Sequence, residues 1–300
     1  MQDDAASSPP LLASQIRHLE RIRDSRVLVL AASNLDLDLL PALYEVLRGI
    51  GRTARLDVVL FCHGGVVNAA RRIALLLDEF TDHLGLLVPH HCESAGTVVA
   101  LAAREIVAGQ LAIFSPVDPI LQTSDPASTT GPDALHAEDV RLFGKMSSEW
   151  FGASGPDGAA RALSTLCENI FPTTLTSFYR STLQLQQIGA ELLALHASAT
   201  PPESRAAIVD NLLFGYHSHT HALTRKEMQE LGLPMRRDEA AEELAWQISC
   251  GLRAAIGAGL RVSPDDDWFD AMLATRDGVQ VRRRGRAALA GTWQNHRDQG

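Results

Sequence analysis

The segment with the clearest chemical potential is Cys-Glu-Ser-Ala-Gly-Thr at residues 92–97, where a serine separates a strand-like run from an apolar, helix-like run. In alternating β/α units, functional residues gather at the carboxyl ends of strands, where the next helix begins. Ser94 lies at such a point, and the small Ala95 leaves room for a substrate. Helix-start N–H groups favour an alkoxide and a nearby oxyanion. Serine is also a preferred N-cap, so Ser94 is interpreted as a nucleophile, as a cap, or as both.

A second turn, His63-Gly64-Gly65, ends the preceding strand-like run. Two glycines there allow backbone N–H groups to point outward, as an oxyanion hole requires. A simple strand-to-helix turn is the alternative interpretation. Because the two turns follow successive strands one β/α unit apart, we predict that Gly64 and Gly65 lie beside Ser94.

The elements that must position these turns follow from the apolar pattern. Strands are predicted at 26–33, 55–62, 83–88 and 110–119, and helices at 66–80 and 95–108, the last one closed by Gly109. This alternation predicts an α/β fold with repeated β-α units and a parallel sheet over residues 26–121. A polar loop follows at 122–134, and the part from 135 to 260 is predicted to be helical, with a capping box at Thr224 and Glu227. Residues 1–25 form a polar, helical extension, and 261–300 a tail with a hairpin turning at Asp277-Gly278.

Composition excludes several classes of function. The net charge is −9, which argues against a general nucleic-acid-binding surface. No apolar run is long enough to span a membrane, and no signal peptide is recognisable. Four widely spaced cysteines favour reduced thiols, so we expect a cytoplasmic protein. No Gly-x-Gly-x-x-Gly follows any strand, so no nicotinamide site is expected.

The histidines and cysteines near the two turns raise a separate hypothesis of zinc binding. They are Cys62, His63, His90, His91, Cys92 and Glu93, with His217, His219 and His221 farther along the chain. Neither a Cys-x2-Cys nor a His-Glu-x-x-His spacing occurs among them. We therefore predict no metal and no cofactor, with zinc binding as an alternative.

Several motifs in one order resemble a known family. The runs LDVVLFCHGG, LLVPHHCESAGTVVALAAREIVAG and AIFSPVDPIL resemble the serine dehydrogenase proteinase family, a branch of the ClpP/crotonase superfamily related to signal peptide peptidase A. The resemblance implies a ClpP/crotonase-like fold, Ser94 as nucleophile, an oxyanion turn at Gly64 and Gly65, and a homo-oligomer. Asp118 matches the aspartate of the family's Val-Asp-Pro motif and is either a partner of a catalytic histidine or a turn residue. His63 replaces a proline of the family pattern and is interpreted either as an additional residue of the oxyanion and substrate-binding site or as a sign that the ancestral chemistry has changed.

The base that activates the serine is left open between two residues. Only two of the 27 lysine and arginine residues are lysines, Lys145 and Lys226, and arginine cannot lose its proton to act as a base. Lys145 is thus one candidate, with an ordinary surface lysine as the alternative. His219 is the other, because it falls on a histidine in a weaker echo of the family pattern. Incidental loop histidines are the alternative there.

We therefore predict a serine peptidase that cleaves a peptide or protein substrate through a Ser94 acyl-enzyme. One alternative is a catalytically degenerate scaffold or peptide-binding protein, which the replacement at His63 favours. A second alternative is a crotonase-like acyl-CoA enzyme, since that superfamily uses the same oxyanion geometry.

Overall fold

The structure is a computed structural model that describes residues 9–117, 120–122, 134–196, 200–256, 268–284 and 292–295. The polar loop predicted at 122–134 lies almost wholly outside the described residues. The helices are α1 (Pro9–Arg23), α2 (Leu39–Ile50), α3 (Val67–Glu79), α4 (Ala95–Ala100), α5 (Ala137–Phe151), α6 (Gly155–Asn169), α7 (Pro172–Ala194), α8 (Pro202–Phe214), α9 (Arg225–Glu230) and α10 (Glu239–Ala255). The strands are β1 (Arg26–Ala32), β2 (Leu56–Cys62), β3 (Leu84–Val88), β4 (His91–Cys92), β5 (Glu105–Ala108), β6 (Ile113–Phe114), β7 (Ile120–Gln122), β8 (Ala134–His136), β9 (Met235–Arg236), β10 (Trp268–Thr275), β11 (Gly278–Arg284) and β12 (Thr292–Asn295).

One mixed sheet organises the molecule, in the order β12-β11-β10-β1-β2-β3-β5-β9. Strands β1, β2, β3, β5 and β9 run parallel, and β10 to β12 extend the sheet antiparallel from β1. The α/β class with a parallel sheet and a helical second half is therefore confirmed. The predicted hairpin is also present, although its two turn residues are 276–277, one position earlier than expected.

Helices cover both faces of the sheet. Helices α2, α3, α4, α7 and α8 pack with one face, and α1 and α10 pack with the other. Every residue of β2 is buried, so its sequence is continuously apolar except for Asp57. A parallel strand covered on both faces requires this pattern. No helix among the described residues is both long enough and apolar enough to cross a bilayer.

The helix predicted at 95–108 is wrong in its second half. Helix α4 ends at Ala100, and the chain returns into the sheet as β5. In β5, Ile106 and Val107 pair with Leu86 and Leu87 of β3 and are buried. Periodicity could not separate the two elements because the residues on both sides of Arg104 and Glu105 are mostly apolar, whereas the β-branched pair favours a strand. The strand predicted at 110–119 is likewise short, because only β6 forms within its described part, residues 110–117.

An interruption of the third strand positions the serine turn. Strand β3 pairs with residues 56–59 of β2 and ends at Val88. After Pro89 and His90 the chain pairs with β2 again as β4, with Cys92 opposite Cys62. The Glu93 N–H then donates to the Cys62 carbonyl at 3.1 Å. The turn after β2 and the turn after β4 are therefore held side by side.

The opposite end of the sheet is tied together by a buried ionic network around Asp57. This carboxylate accepts hydrogen bonds from Arg23 at 3.1 Å, Ser25 at 2.8 Å and Arg55 at 3.3 Å. Arg23 also donates to Asp238 at 2.8 Å, and Asp238 caps α10. The network joins α1, β2 and α10, and Asp57 is fully buried within it.

We predict that Asp57→Ala lowers the free energy of unfolding by about 3–5 kcal/mol, because it removes the fully buried carboxylate shared by Arg23 and Arg55 and leaves Arg23 only its bonds to Glu105 and Asp238. The exposed pair of Arg52 and Asp82 provides the control, and Asp82→Ala should cost less than about 1 kcal/mol. Urea denaturation followed by circular dichroism measures both changes. Equal losses in the two variants would contradict the importance of the buried network.

Candidate active site

Ser94 occupies a strained position between β4 and α4. Its backbone has φ +50° and ψ −109°, a region that residues with a side chain rarely adopt. Such strain costs about 1–3 kcal/mol and occurs most often at active sites and ligand clamps. The prediction that the Ser94 side chain caps the helix is wrong, because this side chain makes no capping hydrogen bond. The hydroxyl is therefore not engaged at the start of α4.

The Gly64-Gly65 turn lies directly against Ser94. A Cβ atom added at Gly64 would stand 3.4 Å from the Ser94 Cβ and 3.9 Å from its Oγ. At Gly65 an added Cβ would lie 2.3 Å from backbone atoms of Leu35. Both glycines have positive φ, +140° and +136°. The turn thus requires glycine for its conformation and for its close approach to neighbouring backbone.

Backbone donors around the serine differ in availability. The Gly64 nitrogen lies 3.2 Å from the Cys62 Sγ, which is a weak acceptor. Within the described part of the chain, no acceptor faces the N–H of Gly65 or that of Ala95. Ala95 is the first residue of α4, so its N–H belongs to the unpaired first turn. The N–H groups of Gly65 and Ala95 are therefore the more available donors, whereas the N–H of Gly64 already has a weak acceptor.

Ser115 and Thr97 hold the serine turn in place. The Ser94 N–H donates to the Ser115 Oγ at 2.7 Å. The buried Thr97 Oγ1 lies 3.0 Å from the carbonyl oxygens of both Cys92 and Ser115, and it accepts the Ser115 N–H at 3.3 Å. These contacts join α4 to β4 and to the segment after β6. The sequence shows both hydroxyls but not their contacts, because they depend on the pairing of β4 with β6.

His63, His91 and Glu93 form a second cluster beside the serine. The Nδ1 of His91 forms a hydrogen bond with the Glu93 Oε1, and the Nδ1 of His63 lies 3.4 Å from the same oxygen. Hydrogen bonds from His63 and His91 lower the pKa of Glu93 to about 2. Phe61 packs edge-on against both imidazoles, with ring centroids 5.3 and 5.6 Å apart. The predicted His63 therefore lies next to the glycine turn, but it is paired with Glu93.

The loop that carries His219 packs beside the segment that holds Ser94. The Val117 N–H donates to the Leu212 carbonyl at 3.1 Å, and Phe114 and Leu223 form a two-way bridge. His219 lines a cavity of about 240 Å³ together with Pro116, which follows Ser115. His219 therefore shares a cavity with the residue that follows Ser115, whose Oγ accepts the Ser94 N–H.

The structure gives less support to the other two predicted catalytic residues, Lys145 and Asp118. Lys145 lies on α5, its side chain is 59% exposed, and its Nζ is 3.9 Å from Glu149. This one-turn pair resembles that of Lys226 with Glu230 on α9, at 3.7 Å. Asp118 lies outside the described residues, so its role as a histidine partner stays a prediction.

One segment of the chain is similar to a known family. Residues 13–134, which include both turns, match the model of a family described as ClpP-like SDH-type serine proteinase. This match confirms the resemblance drawn from the motifs and the ClpP-like fold expected for this segment. It also supports a serine peptidase at the level of the family.

Two curated proteins of Methanocaldococcus jannaschii are similar over shorter segments. The uncharacterized protein MJ1495 is 33% identical over 117 residues, which are 35% of this chain and 40% of that protein. The uncharacterized protein MJ0137 is 38% identical over 80 residues, or 26% and 28% of the two chains. The matches thus span less than half of either relative.

Two solved structures are also similar. One is a mutant of 1510-N, a membrane-bound stomatin-specific protease, at 14% identity with a TM-score of 0.42, covering 69% of this chain and 77% of that one. The other is an enoyl-CoA hydratase from Polaromonas sp. JS666, at 15% identity with a TM-score of 0.36, covering 77% and 76%.

The lowered pKa of Glu93 predicts a pH-dependent contribution to stability. A carboxylate with a depressed folded pKa stabilises the fold above its unfolded pKa of about 4.3, and this contribution is lost as the pH falls through the folded value. Glu93→Gln should therefore lower the free energy of unfolding by about 1–3 kcal/mol near neutral pH. The difference from wild type should disappear as the pH approaches 2. Urea midpoints measured between pH 2 and 7 with a chelator present test this, and a constant difference would contradict it.

Proposed function

We propose that the protein is a serine peptidase in which the Ser94 Oγ attacks the carbonyl carbon of a peptide bond. One observation carries the proposal: a strained serine, with no capping bond, faces a double-glycine turn. The match to a ClpP-like serine proteinase family supports the same chemistry. The substrate is then a peptide or protein segment that enters between the two turns.

Backbone N–H groups stabilise the oxyanion in this proposal. Attack by Ser94 places negative charge on the former carbonyl oxygen, and fixed donors beside that oxygen lower the barrier. Gly65 and Ala95 supply the donors that have no acceptor among the described residues. Gly64 contributes the close approach, because a side chain at that position would contact Ser94. Helix α4 has only six residues, so the individual N–H groups matter more than a helix dipole.

His219 is the better supported of the two base candidates. Its loop is hydrogen-bonded to residues 114–117, and Ser115 in turn accepts the Ser94 N–H. In the proposed cycle, His219 takes the Ser94 proton and then donates it to the leaving amine. Hydrolysis of the acyl-enzyme by water restores the serine. Lys145 is instead exposed and paired with Glu149, in the same arrangement as a surface lysine elsewhere in the chain.

Labelling with a fluorophosphonate probe tests the nucleophile and the base together. We expect one adduct on Ser94 in the wild type and none in Ser94→Ala. His219→Ala should slow labelling by about 10²- to 10⁴-fold, the usual contribution of a general base. Lys145→Ala should label at the wild-type rate. Intact mass and peptide mapping measure the adduct.

Two matched variants control this experiment. His221→Ala removes a neighbouring histidine that pairs with Glu227, and Lys226→Ala removes a lysine in the same kind of ion pair as Lys145. Neither should change the labelling rate. If the folded wild-type protein gave no adduct between about pH 6 and 9, where such a base titrates, the scaffold alternative would replace the peptidase. A loss confined to Lys145→Ala would instead assign the base to Lys145.

We also propose that the protein is a homo-oligomer that associates through α5 to α7. Trp150, Phe151 and Phe171 are each about three-quarters exposed, and Tyr179 is 67% exposed. Large exposed aromatic side chains are enriched at interfaces. The resemblance to a ClpP-like family supports an oligomeric state.

The double variant Trp150→Glu/Phe171→Glu should shift the protein to the monomer mass, because two charges at the interface core oppose association. Light scattering after size exclusion measures the mass. Leu111→Glu, at a 57% exposed leucine outside α5 to α7, should leave the mass unchanged. A wild-type monomer, or an unchanged oligomer in the double variant, would disprove this interface.

A further inference from the structure

The cluster of His63, His91 and Glu93 is not used in the proposed peptidase chemistry. His63 directly follows β2. Its side chain lies on the same face of the sheet as that of Phe61, two residues earlier, because side chains alternate between the two faces along a strand. Phe61 belongs to the core beneath α1 and α10, whereas Cys62, Cys92 and α4 belong to the core on the other face. The cluster therefore lies on the face of the sheet opposite α4.

Three ligand atoms converge in this cluster. The Nδ1 atoms of His63 and His91 both face the Glu93 Oε1, and the three residues' ligating atoms lie within 4.8 Å of one another. Among the described residues, no other such group of histidine, cysteine, aspartate and glutamate occurs. The side chains are 42%, 22% and 27% exposed, so an ion has access from solvent.

We propose that His63, His91 and Glu93 form a binding site for a divalent transition metal, with Zn²⁺ as the preferred ion. Two imidazoles and one carboxylate are a known ligand set for Zn²⁺. Tetrahedral bonds of about 2.0–2.1 Å place ligand atoms about 3.3 Å apart, and the His63 Nδ1 already lies 3.4 Å from the Glu93 Oε1. In this proposal both imidazoles bind the ion through Nδ1 as neutral rings that keep a proton on Nε2, and any proton displaced from Nδ1 is released to water.

The surroundings favour a low coordination number. Phe61 stands edge-on to both imidazoles, and the His90 ring lies 3.8 Å from the His91 ring. This crowding restricts the rings and leaves the exposed side near His63 for a water as fourth ligand. Ligand orientation by surrounding groups is a usual feature of protein metal sites.

The position of the two neighbouring cysteines excludes them as ligands. Cys62 and Cys92 are fully buried on the α4 face. The imidazoles of His63 and His91 contact Phe61, which belongs to the core on the opposite face. The structure therefore favours nitrogen and oxygen ligation over the thiol ligands that the sequence also offered.

The site would join the two turns of the proposed active site. His63 precedes Gly64, and Glu93 precedes Ser94, so one ion would cross-link the segments that carry the oxyanion turn and the serine. Zn²⁺ bound to the folded state alone stabilises it. This inference does not rest on the proposed peptidase, because metal binding and Ser94 labelling are measured separately.

The test uses the full-length, tag-free protein after removal of metal with a chelator. Zn²⁺ titrated in competition with a chromogenic chelator should bind with one equivalent per chain. His63→Ala, His91→Ala and Glu93→Gln should each weaken the affinity by at least about 100-fold, more than the loss of a supporting group outside the ligand set. His221→Ala, which removes a histidine paired with a glutamate elsewhere, should bind as the wild type does.

Two further readouts separate this site from other modes of binding. Co²⁺ should give visible ligand-field bands of a four-coordinate ion without a thiolate charge-transfer band, in the wild type and in Cys62→Ser. Zn²⁺ at 100 times the dissociation constant should raise the Tm by at least about 2 °C in the wild type but not in Glu93→Gln. A folded wild type without stoichiometric binding, wild-type affinity in all three ligand variants, or a thiolate band would each overturn the proposal. Ser94 labelling unaffected by such a failure would leave the peptidase proposal standing.

Discussion

The pairing of Cys62 with Cys92 is the contact on which the candidate site depends. It brings the chain back to β2 after β3 has ended, and the Glu93 N–H then bonds to the Cys62 carbonyl. The two residues after each cysteine are thereby placed side by side, with the glycine turn on one segment and the serine on the other. Without this second pairing, the strand-end turns would diverge as β2 and β3 twist apart.

Much of the fold follows from local sequence patterns. The strands β1, β2 and β3 and the helices α3, α7 and α8 were predictable because they are short buried runs or long periodic segments with clear ends. The interval 95–108 was not predictable in this way. Most of its residues are apolar, and whether Ile106 and Val107 continue a helix or enter a sheet depends on the open edge of β3, which pairs with them. Tertiary pairing decided the outcome there.

The candidate site was predictable only in part, for the same reason. Adjacent strand ends in a parallel sheet implied that Ser94 and Gly64 meet, and the structure brings them into contact. The expected side-chain cap is absent, and the backbone of Ser94 lies outside the extended region that N-cap residues usually adopt. No local signal could show that the His219 loop is fastened to residues 114–117, since those contacts join segments about a hundred residues apart. The choice between Lys145 and His219 is therefore a question of tertiary structure.

Strain at Ser94 explains why so many contacts surround a short turn. A conformation that costs about 1–3 kcal/mol persists only where its neighbours hold it. Thr97 joins the two strands that flank the serine on the α4 face, and Glu93 binds two imidazoles on the opposite face. Contacts on both faces of the sheet thus hold the turn, while the Ser94 hydroxyl makes no capping hydrogen bond. A metal ion at Glu93 would strengthen the hold on one side only, so its effect on stability and its effect on serine reactivity are separable.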